Sequence, residues 1–368
     1  MNRVLGLVLA GLLALGVLGA IVYSIASRVG NGAGISVTTV HGVIGSEKQA
    51  FFQDPDVIAA FHRNGLDVQI DTAGSREIAT TVDLSKYDFA FPAGAPSAQK
   101  IKRDHHVPTT YAPFFTPMAI ATFNSIEQLL AANGVVSDQS GYHSFDMTAY
   151  MALVANNARW TDFKNNTAYP AGKSVLITST DVRTSNSAAM YLAIVSYVVN
   201  GNNIVSDLGT ANRVAPIVAP IFLRQGFTDT SSAVPFDDYL SIGIGKTPMV
   251  MIYEAQFIAL QSAHDHALTS DMTLMYPTPT VLSKHTLVPL NARGDKVGRL
   301  LLNDPTLQQL AVKYGFRTSD PTAFSSYLKS RGVPQPPQLV NVIDPPAFDP
   351  LEAMINGIDQ LYREGATA

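Results

Sequence analysis

Strand and helix signals alternate along residues 35–105, and this alternation constrains the fold more than any other feature of the chain. Short β-branched or apolar runs predict three strands, at Ile35–Val40, Leu66–Ile70 and Tyr87–Phe91. Helix-start signals lie between and after them, at Ser46, at Pro55 behind the cap residue Asp54, at Ser75 and at Ala95. This β-α-β-α-β-α order predicts a parallel sheet with helices on its faces.

Strand and helix signals also alternate in the rest of the chain. The hydrophobic pattern and helix-end signals predict helices at Ser125–Ala132, Ala188–Val199 and Asp304–Tyr314, and strands at Ser174–Thr178 and Met249–Tyr253. Leu274–Leu282 contains two prolines, which cannot donate ladder hydrogen bonds, so we predict an edge strand or a connecting segment there. A proline-rich stretch, Val333–Pro346, leads into a last predicted helix, Pro350–Arg363.

Composition narrows the function classes. The 368 residues suit two domains of ordinary size. Hydrophobic residues make up 46% and charged residues only 15%, which favours buried cores over disorder. The net charge of −4 supplies no basic excess for phosphates, so no nucleic-acid partner is expected. The absence of cysteine excludes disulfides, thiolate metal sites, cysteine nucleophiles and lipid attachment through cysteine.

The N-terminus predicts export. Val4–Val22 is an apolar run of 19 residues behind Arg3, long enough for a signal anchor. Ser24-Ile25-Ala26 offers a cleavage site, so a cleaved signal peptide is the alternative. In both cases residues 1–26 are the targeting segment, 27–34 form a linker, and the remainder lies outside the cytoplasm. We favour the retained anchor, with the membrane as a partner through this helix.

Three strand-to-helix junctions share one chemical character, namely small hydroxyl residues at a helix start, where backbone N–H groups favour anions. Two of the junctions add an arginine, whose fork suits oxyanions or carboxylates. Glu254 directly follows the predicted buried strand Met249–Tyr253, and this position alone makes it a further candidate. The alternative is that these residues are ordinary helix caps and structural ion pairs. The candidate ligand contacts are Ser46, Ser75, Arg76, Arg183, Thr184, Ser185, Asn186, Ser187 and Glu254.

Other motifs are weaker. His264-Asp265-His266 with Asp271 offers metal-ligand types, but an exposed polar loop is favoured over a metal site. Gly245-Lys246-Thr247 ends like a P-loop, yet position 240 is leucine instead of glycine. No G-x-S-x-G elbow occurs in the sequence. The sequence therefore predicts no metal, no cofactor and no enzymatic activity.

Four segments resemble the type II class of extracellular solute-binding proteins, the receptors of ABC importers. They are Gly45-Ser46, Gly74–Ala79, Thr184–Ala188, and the ending from Leu300 through Tyr314-Gly315-Phe316-Arg317. The third resembles the serine/asparagine loop of oxyanion-binding members. The resemblance implies an α/β fold of two lobes with a ligand cleft between them. Lobe I would comprise 35–116 and 275–368, and lobe II 117–274.

The resemblance also implies a function. We expect a membrane-anchored, extracytoplasmic receptor that captures a small, anionic ligand, an oxyanion or a small carboxylate, and delivers it to an ABC permease. One alternative is a ligand-sensing module of the same fold without transport. A further alternative is an extracellular hydrolase, for which the sequence shows no motif.

Overall fold

The computed structural model describes residues 37–139, 141–225, 229–334 and 341–366. The targeting segment and linker predicted for residues 1–34 lie outside these ranges. Among the helices that are described, none combines the length and apolarity that a membrane span requires. Residues Thr39–Ala368 belong to one compact unit.

Within the described ranges the chain forms ten strands. Their bounds are β1 Thr38–Ile44, β2 Leu66–Thr72, β3 Phe89–Phe91, β4 Tyr111–Phe123, β5 Val136–Gln139, β6 Tyr142–Asp146, β7 Met249–Tyr253, β8 Met272–Thr278, β9 Thr280–Pro289 and β10 Val342–Ile343. Strand β7 is buried on both faces, since every one of its five residues is buried.

Fourteen α-helices lie between or after these strands in the described part. They are α1 Gln49–Gln53, α2 Pro55–Arg63, α3 Ser75–Thr80, α4 Ala95–Asp104, α5 Asn124–Ala132, α6 Met147–Ala155, α7 Asn186–Val199, α8 Leu208–Leu223, α9 Ala233–Ser241, α10 Glu254–Ala263, α11 Ala292–Asn303, α12 Pro305–Lys313, α13 Pro321–Ser330 and α14 Phe348–Ala366. Aspartate caps several of them; Asp54, for example, accepts from the backbone N–H of Asp56 at 2.7 Å.

The strands form a mixed sheet in the order β2-β1-β3-β9-β4-β8-β6-β5, with β10 added beside β9 and β7 beside β4. The predicted parallel arrangement is confirmed for β1 and β3. The direction changes beside β3, because β9 runs antiparallel to both β3 and β4. Parallel pairing recurs between β6 and β8 and between β9 and β10. The long β4 pairs with β9 through its first half and with β7 and β8 through its second half.

Most predicted elements are present, including the helices between Gln49 and Asp104 and strand β7 at its predicted bounds. The prediction of an edge or connecting segment at Leu274–Leu282 is wrong, because β8 lies between β4 and β6 and β9 between β3 and β4. Pro277 is tolerated since β8 pairs with β4 only up to Met275, so the proline has a ladder neighbour on one side only.

The strand predicted at Ser174–Thr178 is also absent, with isolated bridges formed only by its two end residues. Thr178 bridges Val250 of β7. The next backbone N–H, of Ser179, donates to the side-chain oxygen of Gln225 at 2.7 Å.

Buried apolar side chains fall into separate clusters, and β4 passes from one to another. Phe114 in its first half packs in a cluster with Phe51, Phe91 and Phe316. Met118, Ile120 and Phe123 in its second half belong to a larger cluster built around α7, α8 and β7. Strand β9 makes the same passage. Two adjacent crossing strands therefore connect two apolar cores.

Candidate ligand-binding site

The start of α7 is buried and lacks a side-chain cap. Ser185 precedes the helix and is 7% exposed, and its side chain makes no capping hydrogen bond to the helix backbone. Asn186 and Ser187 in the first turn are also buried. The first N–H groups of a helix have no intrahelical partner and carry its positive dipole end. This 14-residue helix therefore presents buried donors suited to an anion.

Loops of the other core lie directly against this helix start. Asn186 lies so close to Gly94 that a Cβ on the glycine would collide with its side-chain oxygen. A Cβ on Gly74 would collide with the backbone carbonyl oxygen of Thr184. Gly74 therefore allows a close approach of two backbones, and Gly94 leaves room for the Asn186 side chain. We call the contact region formed by Gly45-Ser46, Gly74, Gly94 and residues 184–187 the seam.

Hydroxyl groups line the seam. The Ser46 side chain is exposed, and its oxygen lies 3.2 Å from that of Ser231 in the facing loop. Ser75 is buried and accepts from the backbone N–H of Ala93 at 2.9 Å. Ser187 contacts the Ser185 hydroxyl at 3.0 Å. The predicted serine and asparagine candidates are thus brought together at the seam from separate parts of the chain.

The two predicted arginines lie at the seam, paired with carboxylates. Nε of Arg76 donates to both oxygens of Glu352 in α14, at 3.0 and 2.8 Å. This hydrogen bond raises the pKa of Arg76. Arg183 donates to Asp181, through Nη2 at 2.6 Å, and to Asp359 of α14 through Nη1 at 3.2 Å. Both guanidinium groups therefore already bind carboxylates, and one carboxylate on each comes from the last helix.

Helix α14 covers the seam from solvent. Between Ser185 and Asn186 on one side and Leu351 and Ile355 of α14 on the other lies a cavity of about 20 Å³. A space of this size holds about one water molecule. The seam is therefore closed in this conformation, and a larger ligand requires it to open.

A buried charged cluster lies beneath the Ser46 loop. Lys48 is fully buried, forms an ion pair with Glu47, and lies 3.2 Å from Nδ1 of His285 in β9. Burial and the Lys48 charge lower the pKa of His285 to about 4, so its imidazole is neutral near pH 7. Burial opposes ionisation of Glu47, but Lys48 and His285 outweigh it and lower the carboxyl pKa to about 2. Nε2 of His285 is buried without a hydrogen-bond partner among the described residues.

This cluster is joined to the seam through β7 and β9. The Asn186 side chain donates to the Tyr253 hydroxyl at 3.0 Å and to that of Ser283 at 3.4 Å. The Tyr253 ring packs edge-on against His285. Burial raises the pKa of the Tyr253 hydroxyl well above its ordinary value, which keeps it a neutral hydrogen-bonding group.

Glu254 lies apart from the cluster and is completely buried. Its two oxygens accept from Arg317, at 2.8 and 2.6 Å, and from the Tyr276 hydroxyl at 2.7 Å. The burial of an ion pair with this many hydrogen bonds is typical of a structural pair. The structure therefore places Glu254 among partners that already saturate its carboxylate.

Four further polar residues at or beneath the seam were not predicted from the sequence, namely Lys48, Ser231, Ser283 and His285. Only the position of Lys48, just beyond a strand end, gives a local signal. The other three reach the seam through long-range pairing, as in the His285–Lys48 contact between residues 237 positions apart. Among the described residues, no three histidine or acidic side chains are grouped as metal ligands.

The crossing strands join two apolar cores, with the start of α7 between them. Solved structures of periplasmic binding proteins share this fold. A periplasmic thiamin-binding protein is 10% identical, with 89% of this chain and 96% of that chain covered and a TM-score of 0.53. The apo ferric ion-binding protein A of Pasteurella haemolytica is 11% identical, with 88% and 96% covered and a TM-score of 0.51.

At these identities the likeness concerns the fold. It confirms at that level the resemblance to solute-binding proteins seen in the sequence. No protein-family model matches the chain. No curated protein sequence matches it either.

Proposed function

We propose that this chain is an extracytoplasmic solute-binding receptor, anchored by its N-terminal helix, which captures a small anion between two lobes for an ABC-type importer. The observation that carries the proposal is the buried, uncapped start of α7 at the seam. The first N–H groups of a helix have no intrahelical partner, and an anionic ligand could accept hydrogen bonds from them. The two solved structures of this fold are binding proteins, which supports a ligand-binding function over an enzymatic one.

In this proposal the lobes comprise residues 35–116 with 275–368, and 117–274. The passage of β4 and β9 between separate apolar cores supports two lobes. Helix α14, which the sequence assigns to lobe I, packs its apolar side chains into the larger core with α7 and α8. Ligand would contact Ser46, the hydroxyl and amide groups of residues 184–187, and the α7 N-terminus. Binding favours the conformation in which both lobes touch the ligand, so it shifts the population toward closure around it.

Arg76 and Arg183 supply the charge in this proposal. Each already binds a carboxylate of α14, which supports the choice of an anion as ligand. A ligand would exchange with Glu352 and Asp359, and α14 would move from its position over the seam. Ser75 and Glu254 hold the surrounding loops in place, since their polar atoms are engaged within the protein.

The test is a calorimetric titration of the full chain with sulfate, phosphate, molybdate, acetate and glutamate. One of these anions should bind with 1:1 stoichiometry. Asn186→Asp should weaken binding by about 1.5–3 kcal/mol, because it places a negative charge where the anion is held. Asn212→Asp, an exposed position on α8, makes the same charge change as a control and should leave affinity unchanged. Equal affinity of the two variants would overturn the proposed site.

A further inference from the structure

A second cavity, with no lining residue in the seam, opens beside the start of β7 and the end of α8. Its volume is about 480 Å³, within the range of about 300–1,000 Å³ that is typical of small-molecule sites. The seam cavity, in contrast, holds about 20 Å³. This is therefore a preformed space that requires no rearrangement to admit a ligand.

The charge of this cavity is opposite in sign to that of the whole chain. Two acidic side chains, Asp229 and Asp238, line it. Four basic side chains outnumber them, namely Arg159, Lys173, Arg224 and Lys246. The cavity thus carries a formal charge of +2 (four minus two) on a chain whose net charge is −4. Such a local concentration of charge attracts anions whatever the overall charge.

Three of the four cations have neutral partners. Arg159 donates to the carbonyl of Gly172, Lys173 to that of Gly245 at 3.1 Å, and Arg224 to that of Val154 at 3.2 Å. These carbonyls orient the three cations, and within the described part of the chain no carboxylate forms an ion pair with them. Lys246 is the exception, since it forms an ion pair with Asp238 at 2.6 Å.

Neutral polar and aromatic groups complete the lining. Thr178 and Gln225 add hydrogen-bonding groups beside the cations. Trp160 and Tyr169 lie behind this lining with ring centroids 5.4 Å apart, and both are almost completely buried, at 1% and 7% exposure. The half-buried Leu176 adds an apolar side chain to the lining. A simple inorganic anion would fill little of this volume, whereas an organic anion with several charges would fill more of it and reach more than one cation.

We propose that this cavity is a second binding site, for a small organic anion that carries two or more negative charges. It is independent of the seam and of the function proposed above. The observations that support it are the volume of the cavity and the excess of cations whose partners are neutral carbonyls.

The only tryptophan of the chain, Trp160, lies next to this cavity, which provides the assay. We expect citrate to change the Trp160 fluorescence of the full chain saturably at constant ionic strength. Acetate, with a single charge, and sulfate, which is smaller, should bind at least about tenfold more weakly, a difference of 1.4 kcal/mol. No saturable change with citrate would overturn the proposal.

Matched variants separate a specific site from general charge. Lys173→Gln with Arg224→Gln should weaken citrate binding about tenfold or more, and Lys173→Gln alone about threefold. Arg213→Gln with Lys329→Gln removes the same charge from exposed positions outside the cavity and should change affinity less than twofold. Equal weakening by both pairs would overturn the proposal.

The seam variant distinguishes this site from the proposed receptor site. Asn186→Asp should leave the citrate titration unchanged. Loss of the fluorescence response in Asn186→Asp would assign the anion to the seam and overturn the second site. An unchanged response would support the second site even if no anion binds at the seam.

Discussion

Replacing Glu254 with glutamine should destabilise the protein strongly. The carboxylate is completely buried and accepts three hydrogen bonds, two of them from a guanidinium whose side chain is only 17% exposed. In glutamine one oxygen becomes an NH₂ group that faces the Nε–H donor of Arg317. The variant therefore leaves a buried positive charge without its counterion, which costs about 3–5 kcal/mol.

The assay is urea denaturation of the wild type and the variant, followed by circular dichroism. The matched control is Asp344→Asn, which removes the exposed partner of Lys284, 3.4 Å away, and should cost less than about 1 kcal/mol. A loss below about 1 kcal/mol for Glu254→Gln would refute the reasoning, because the pair would then behave like a surface ion pair.

A double variant tests the cause of the loss. Glu254→Leu with Arg317→Leu removes both charges and leaves neither ion unpaired. Its destabilisation should be smaller than the sum of the two single changes by about 2 kcal/mol or more. Strict additivity would mean that the two side chains contribute independently.

Three further predictions concern the seam. Glu352→Gln with Asp359→Asn should raise sulfate or glutamate affinity several-fold in calorimetry, because Arg76 and Arg183 lose competing carboxylates; unchanged affinity would exclude this competition. Stability should fall by up to roughly 3 kcal/mol as pH drops from about 7 to 4, because His285 stays neutral in the folded state while the unfolded imidazole is protonated; His285→Gln should flatten this part of the denaturation profile. Gly74→Ala should collide with Thr184 and speed amide exchange at the start of α7, unlike Gly172→Ala, which points into open space.

Local signals in the sequence predicted much of the fold. Helix α2 is an example, because Asp54, Pro55 and the terminal Asn64-Gly65 act through neighbouring backbone groups. The place of a strand in the sheet was harder to predict, because it depends on pairing with distant segments. The two prolines of Leu274–Leu282 suggested an edge, but Pro279 lies at the junction of β8 and β9, and Pro277 lies beyond the residues that pair with β4.

In the candidate site, too, local features could be predicted and long-range contacts could not. Serine and glycine residues at helix starts identified the seam because ligands in α/β proteins meet helix N-termini. The partners of the two arginines were not predictable, since Arg76 and Glu352 are 276 positions apart and no local pattern links α3 with the last helix. The neutral, buried state of His285 likewise depends on strand pairing that places it opposite Phe114.

Native mass spectrometry of the full chain tests the central claim most directly. We predict that the chain retains or takes up one small anion per molecule from the panel of oxyanions and carboxylates. Asn186→Asp should reduce this adduct strongly, in line with a loss of about 1.5–3 kcal/mol in binding, and Asn212→Asp should preserve it. A chain that binds none of these anions, or whose adduct is undiminished in Asn186→Asp, would contradict the account of the seam as an anion-binding site.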